Sequence, residues 1–462
     1  MAAESRSRQE RASYPKKATE LGGRRFHIPL IVIILLYLII SFLTFNQIAE
    51  DAFIYFRLAA NIAGGHGYVF NLGGEHIESG SGLLWQLLLA AAWFFPLHMI
   101  VKAKLLGIAL GCLALWLTYR ITRRLVSDSV LQWIPALLLA FSIPFFCWSQ
   151  RGLETSFYLS ALLLLCDVCC DERTRRHWYL PAMLLSCSRP EGFLMLVALL
   201  PFFVLYRKEL TGAWRGAAIL FGLLAMLTLF RLWYFHDIFP HPFYLKANTS
   251  FGAGVLRIKG YVTDNGLLFL VVPAALAYLH PRSWSRQKAV VVSFLVVTAG
   301  WASIAAEGMA PYFRHMTAML PFLFLTAVAG LEALARGRAR LWSVRAACIA
   351  FALAMLMFSQ SSYTRQRPNP SVFAHAARIA LQDPVAYADR VRQILTNPDE
   401  FFADLPARPV PQIENSQLLR DPINTNYQAT SGRFIRMNYP TGITIVYDQM
   451  GQTPWYAGGD KR

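Results

Sequence analysis

Leu83-Leu-Trp-Gln-Leu-Leu-Leu-Ala-Ala-Ala-Trp-Phe-Phe-Pro-Leu97 decides the fold. Read as a membrane span, this apolar run would turn Arg120, Arg123 and Arg124 outward and invert every later basic cluster. Lys and Arg concentrate in cytoplasmic loops. The run is therefore laid along the membrane surface or half-buried, and the next span becomes 104–119. The rest of the chain reads outward from that choice.

The composition belongs to a membrane protein. Of 462 residues, 55% are hydrophobic and 15% are charged, with mean hydropathy +0.38. Soluble domains carry about 45–50% apolar and about 25% charged residues. The apolar residues cluster in runs such as Ile28 to Phe45 and Val344 to Phe358. Runs of about 17–25 such residues cross the hydrocarbon core as helices, because lipid offers the backbone no hydrogen bonds. The net charge of +17 sits in short clusters between these runs. That is the pattern of topology-setting loops and not of a nucleic-acid surface. The first run is too long for a signal peptide and has no small-residue cleavage site, so it reads as a retained span. The seven cysteines lie in or beside apolar runs and suggest no disulfide framework. Cys166, Cys169 and Cys170 have no following His–Cys set and read as packing.

The expected architecture is a multi-pass α-helical membrane protein of about eleven transmembrane helices. Residues 1–27, with Arg6, Arg8, Arg11, Lys16, Lys17, Arg24 and Arg25, form a basic cytoplasmic tail. Residues 28–359 form the transmembrane module, with 46–103 as a long first outer loop. The spans fall at 28–45, 104–119, 131–147, 156–170, 177–188, 192–206, 216–234, 265–280, 289–305, 316–334, and a last one ending near 359. An odd number of spans places 360–462 outside. Pro384 to Leu395 reads as helical and Ile443 to Tyr447 as a strand, so this tail is expected to be a small α/β extracytoplasmic domain.

This topology gathers unusual polar residues on the outer side. Among them are Glu50, Asp51, Arg57, His66, Glu75, Glu154, Arg189, Glu191, Tyr244, Lys246, Glu307 and Arg314. Ionisable groups at membrane depth usually face a cavity and serve function. A carboxylate there suits a general base for a hydroxyl, and Arg and Lys suit a phosphate leaving group. Asp51 is the sharpest candidate, at the exit of the first span beside Glu50. The competing reading is a solvated helix end. The glycine-rich stretch from Gly64 to Gly82 lacks the Gly-Lys-Ser/Thr ending of a phosphate-binding loop and reads as tight turns or linker. His66 also reads as a structural residue, Arg189 and Glu191 as a pair across a turn, Lys246 and Arg314 as interfacial anchors, and Glu154 as a helix-start acid.

The segment Glu50-Asp-Ala-Phe-Ile-Tyr-Phe-Arg57-Leu-Ala-Ala-Asn61 resembles the first-loop motif of a set of GT-C glycosyltransferases. The similarity continues through Gly64 to Asn71, Gly74-Glu75 and Ser81 to Trp85. Arg151-Gly-Leu-Glu-Thr155, Ser188-Arg-Pro-Glu-Gly192, Pro240 to Lys246, Glu307 to Pro321 and Val446-Tyr-Asp448-Gln-Met-Gly451 resemble later motifs in order. The set covers about residues 48–458. It is closest to the arabinofuranosyltransferases of mycobacterial cell-wall assembly and of type IV pilin glycosylation. The resemblance implies a GT-C fold with surface-lying helices in the first outer loop. It implies transfer of a sugar, D-arabinofuranose, from a decaprenyl or undecaprenyl phosphate donor. Asp51 is then the general base, and Arg189, Lys246 and Arg314 bind the donor phosphate. Glu50, Arg57, His66, Glu75, Glu154, Tyr244, Glu307 and Asp448 are candidates for contacts to sugar or acceptor. The acceptor would be an arabinan end or a pilin Ser/Thr on the periplasmic side of a bacterial inner membrane. A divalent metal is possible, but no ligand set is assigned. The family often has Asp-Asp where this chain has Glu50-Asp51, and Gly-Gly-Asp where it has Ala305-Ala306-Glu307. Two alternatives stay open: a transporter or flippase of lipid-linked sugars, and a transferase of mannose, aminoarabinose or another polyprenyl-linked sugar. Transporters often show internal repeats, and no convincing repeat is found here.

Overall fold

Helix α1 (Ile28–Leu43) is apolar all round, yet only one stripe of it is covered. Leu30, Ile33, Tyr37 and Ile40 are buried at helical spacing, while Ile31, Leu35 and Ile39 stay about half exposed. A helix with one packed stripe and an apolar outer face suits a lipid-facing position. The chain then forms α2 (Ala52–Ala63) and α3 (Leu83–Ala92). The run that decided the topology is thus a ten-residue helix. At 1.5 Å per residue it is about 15 Å long, half of a hydrocarbon core of about 30 Å, so it cannot cross alone.

A computed structural model describes residues 28–45, 48–210, 212–245, 251–305, 314–335, 338–358, 377 and 380–398. These residues are mostly helical, with no strand among them. After α3 come α4 (Met99–Leu125), α5 (Ile134–Ala140), α6 (Ile143–Ser149), α7 (Thr155–Cys170), α8 (Tyr179–Ser188) and α9 (Leu200–Leu205). They are followed by α10 (Ala213–Tyr234), α11 (His241–Leu245), α12 (Phe251–Asp264), α13 (Leu268–Tyr278), α14 (Arg286–Ile304), α15 (Leu320–Leu334), α16 (Arg338–Phe358) and α17 (Pro384–Thr396). Four of the described helices are long and apolar enough to cross a membrane. The number rises to five if α12 and α13, bent by 107° at their junction, act as one.

Several expected spans are broken, and proline accounts for the breaks. The run 131–147 is two helices. Pro144 has no N–H to donate, and its ring meets the carbonyl four residues back. That residue is Ala140, where α5 ends. Pro201 stands likewise at the start of α9, and the run expected as 192–206 enters it through a 3-10 stretch, Leu194–Leu199. Helix α7 lies at the centre, buried on nearly every side, and packs on α4 and α8. Helix α10 buries only Gly216 and Leu220 and forms the periphery. The expected helix at 384–395 is α17, running to Thr396. The basic tail and the expected strand at 443–447 lie outside the described residues.

Charge pairs tie each end of the bundle. At one end Arg124 pairs with Asp167 and, at 2.7 Å, with Asp171, and Arg120 reaches Asp167 at 3.1 Å. Glu209 joins Arg175 to Arg286, the latter at 2.7 Å. Arg345 pairs with Asp128. Burial pushes the Asp171 carboxyl up, but the Arg173 amide and Arg124 outweigh it and hold it below the usual carboxylate range. Of the basic residues in those clusters, Arg120, Arg124, Arg175, Arg286 and Arg345 are thus held by acidic partners.

At the other end the first loop is clamped to the end of α10. Arg231 grips Glu78 through two hydrogen bonds, Nε to Oε2 at 2.8 Å and Nη2 to Oε1 at 2.9 Å. The Tyr68 amide donates to Tyr234 Oη at 3.0 Å, and the rings of Tyr68 and Phe235 pack edge to face. Burial pushes the Glu78 carboxyl up against the pull of Arg231. Arg231→Ala should leave a buried carboxylate without its partner, a loss of about 3–5 kcal/mol for such pairs. Adding Glu78→Gln should restore most of it. Thermal unfolding in detergent checks this: equal losses in the single and double variants would show that the loss does not come from a stranded Glu78 carboxylate.

Candidate functional site

The site is founded on the turn between α6 and α7. Three successive carbonyls in it accept hydrogen bonds from three separate segments. Gln150 O takes Lys104 Nζ of α4, Arg151 O takes the Ala49 amide, and Gly152 O takes Trp85 Nε1 of α3, each at 3.1 Å. Gln150 Nε2 also donates to Thr44 Oγ1. Buried backbone carbonyls need partners, and here the partners come from the segments that build the site. Gly152 has φ +84°, a left-handed conformation that disfavours any side chain. Its α-carbon also lies against Ala52, where a methyl would approach to 3.0 Å.

Two residues on, Glu154 is fully buried at the start of α7. Its Oε1 accepts from Arg314 Nη2 at 2.8 Å and pairs with Arg189 Nη1 at 3.0 Å. Arg189 Nε in turn meets Glu191 Oε1 at 2.5 Å. Arg314 also donates from Nε to Thr155 Oγ1 at 3.3 Å, and its guanidinium lies 5.2 Å from the Trp148 ring. Arg151 lies 5.0 Å from the same ring.

Above this cluster opens a cavity of about 560 Å³. Asp51, Tyr55, Asn71, Glu75, Ser79, Ser81, His241 and Arg314 line it, together with the apolar Ile54, Phe70 and Ile77. A space of this size, mostly apolar with a few convergent polar groups, is typical of small-ligand sites. Asp51 is the N-cap of α2, but its side chain makes no capping hydrogen bond. Its carboxylate is exposed and borders the cavity. Tyr55, one turn further along α2, shares a hydrogen bond with Ser81 Oγ at 3.1 Å.

The residues singled out in the sequence separate into groups. Asp51, Glu75 and Arg314 line the cavity. Arg189 and Glu154 lie beneath it in the ion cluster. Arg189 also borders, with Arg314, a small cleft of about 10 Å³. Arg57 is buried and donates to Phe70 O at 2.7 Å and Asn71 Oδ1 at 2.8 Å, so it shapes the cavity wall from behind. Glu50 is half-buried next to Asp51, and His66 is exposed in the Gly64–Gly67 turn, away from the cavity lining. The Tyr244 side chain, Lys246, Glu307 and Asp448 lie outside the described residues. Sequence reasoning passed over Tyr55, Asn71, Ser79, Ser81 and His241 as site residues. Tyr55 had a signal, since it stands four residues after Asp51 and so on the same helix face. Among the described residues no group of three His, Cys, Asp or Glu could hold a metal.

No family model and no curated protein matches the chain. Among solved structures, it matches the crystal structure of ArnT from Cupriavidus metallidurans bound to undecaprenyl phosphate. The TM-score is 0.56 at 12% identity, over 93% of this chain and 84% of that one. The chain has a GT-C fold. At that identity the likeness is one of fold. Within the GT-C fold of this chain, the cavity opens between the loop that follows α1, the segment after α10 and Arg314.

Proposed function

We propose that the chain is an integral membrane glycosyltransferase of the polyprenyl-phosphate-dependent kind. It transfers a sugar, D-arabinofuranose, to an extracytoplasmic hydroxyl on an arabinan end or a pilin Ser/Thr. One observation carries this reading: a single cavity of about 560 Å³ is bordered by the uncapped carboxylate of Asp51 and by the anchored guanidinium of Arg314. The two groups supply the two requirements of the reaction. Asp51 takes the proton of the acceptor hydroxyl. The hydroxyl oxygen attacks the anomeric carbon, and the bond from that carbon to the phosphate oxygen breaks with inversion. The electron pair leaves with the phosphate, whose charge grows from one to two negatives on polyprenyl phosphate. Arg314 and Arg189, with Lys246, offset that charge as it develops. The fold shared with a protein solved with undecaprenyl phosphate supports a polyprenyl phosphate as the lipid. Such a lipid keeps its head group at the membrane interface, which suits a site between the first outer loop and the helix ends of a bacterial inner-membrane protein.

The test is an assay of the purified full chain with synthetic polyprenyl phosphate sugars, decaprenyl-phosphoryl arabinofuranose among them, scored by release of polyprenyl phosphate with an arabinan or pilin acceptor. Arabinofuranose transfer is the expected result. Success of a mannosyl or aminoarabinosyl donor instead would overturn the sugar. Inertness toward every donor, with lipid translocation across vesicles, would turn the reading into that of a flippase.

A further inference from the structure

Arg314 is held on three sides. Glu154 Oε1 takes its Nη2 at 2.8 Å, Thr155 Oγ1 takes its Nε at 3.3 Å, and the Trp148 ring lies 5.2 Å from the guanidinium. Arg314 nevertheless borders the cavity. Glu154 does not. It is 0% exposed and takes no part in the cavity lining, so a bound sugar or acceptor has no access to it. Its oxygen is shared between two guanidinium groups, those of Arg314 and Arg189. The backbone carrying it is fixed just upstream by the hydrogen bonds from Lys104, Ala49 and Trp85. Its side chain is also wedged against Gly82, where a methyl would stand 3.0 Å from Glu154 Cγ. A rigidly seated carboxylate, closed to ligand but joined to two arginines, is arranged to aim them.

We propose that Glu154 is a positioning residue: it fixes Arg314, with Arg189 behind it, so that the guanidinium meets the phosphate of a polyprenyl phosphate in the cavity. This rests on the reading of Arg314 as the donor-phosphate site. It gives Glu154 a role different from contact with sugar or acceptor. Binding energy is lost when flexible side chains must be ordered at the moment of binding, and pre-anchoring the arginines removes that cost.

The sign of one substitution separates this role from simple electrostatics. Glu154→Gln removes a negative charge beside two cations. By Coulomb's law alone, that makes the site more attractive to an anion. Positioning predicts the reverse, because the arginines lose their anchor. The experiment titrates undecaprenyl phosphate into the full chain in detergent for wild type, Glu154→Gln, Glu154→Asp and Arg314→Gln. Glu154→Gln should weaken binding by about tenfold, the scale of re-ordering two long side chains, and Glu154→Asp, which keeps the charge but shortens its reach, should weaken it less. Affinity equal to or tighter than wild type in Glu154→Gln overturns the proposal. If that variant does not elute as a folded, monodisperse protein, Glu154→Asp carries the test. Its carboxylate is drawn back by one methylene, so a weakening of about threefold is expected, and unchanged affinity overturns the proposal. Wild-type binding no tighter than that of Arg314→Gln would instead remove the donor-phosphate reading beneath it.

Discussion

Asp51→Asn should lower sugar transfer by about 10²–10⁴-fold, the range for loss of a positioned general base, while polyprenyl phosphate binding stays near wild type. The amide has almost the shape of the carboxylate but cannot accept the acceptor's proton at neutral pH. The substitution should also leave the fold intact. Asp51 is exposed at the N-cap of α2 and makes no side-chain capping bond, so helix formation does not depend on it. Turnover with a synthetic donor, measured beside thermal stability and lipid binding, keeps these effects apart. Turnover near wild type would remove Asp51 as the base. A fall in binding equal to the fall in turnover would make it a binding residue instead.

Arg314→Gln should reduce kcat by about 10²–10³-fold, as removal of one donor to a developing anion typically does. Arg314→Lys should not restore it. A lysine ammonium cannot donate from a planar fork to Glu154 and Thr155 together, and both bonds are made by the guanidinium here. The substitution also takes from the buried Glu154 one of its two cationic partners, so a lower unfolding temperature should accompany the kinetic loss. Rates are therefore normalised to folded protein. Full activity of Arg314→Lys would show that charge alone suffices and that the geometry around Arg314 is incidental.

The sequence exposed the architecture better than the site. The apolar runs and the basic clusters between them placed most helices, because lipid and the positive-inside bias both act on simple composition. The run at 83–97 could be taken out of the span count for the same reason, and it is the ten-residue α3. The break at Ala140 was also written in the chain, as Pro144, but hydropathy averages over a single proline. The site was less legible. Asp51, Glu75 and Arg314 stood out by charge and do border one cavity. Asn71 and Ser81 did not, since a neutral polar residue in a glycine-rich loop looks like any turn. The role of Arg57 depends on which carbonyl it reaches, Phe70 O in this case, and no spacing rule reports that. Glu154 looked like a helix-start acid. Its two arginines lie 35 and 160 residues away along the chain, a pairing that only the folded bundle makes visible.

The three-carbonyl turn at Gln150–Gly152 also bears on the order in which the protein is made. Its donors at residues 49, 85 and 104 leave the ribosome before it does, and Arg314 follows much later. Long-range contacts of this kind cannot form until all their segments have been inserted. A chain synthesised short of residue 314 therefore lacks the guanidinium that donates to Glu154 Oε1 and borders the cavity.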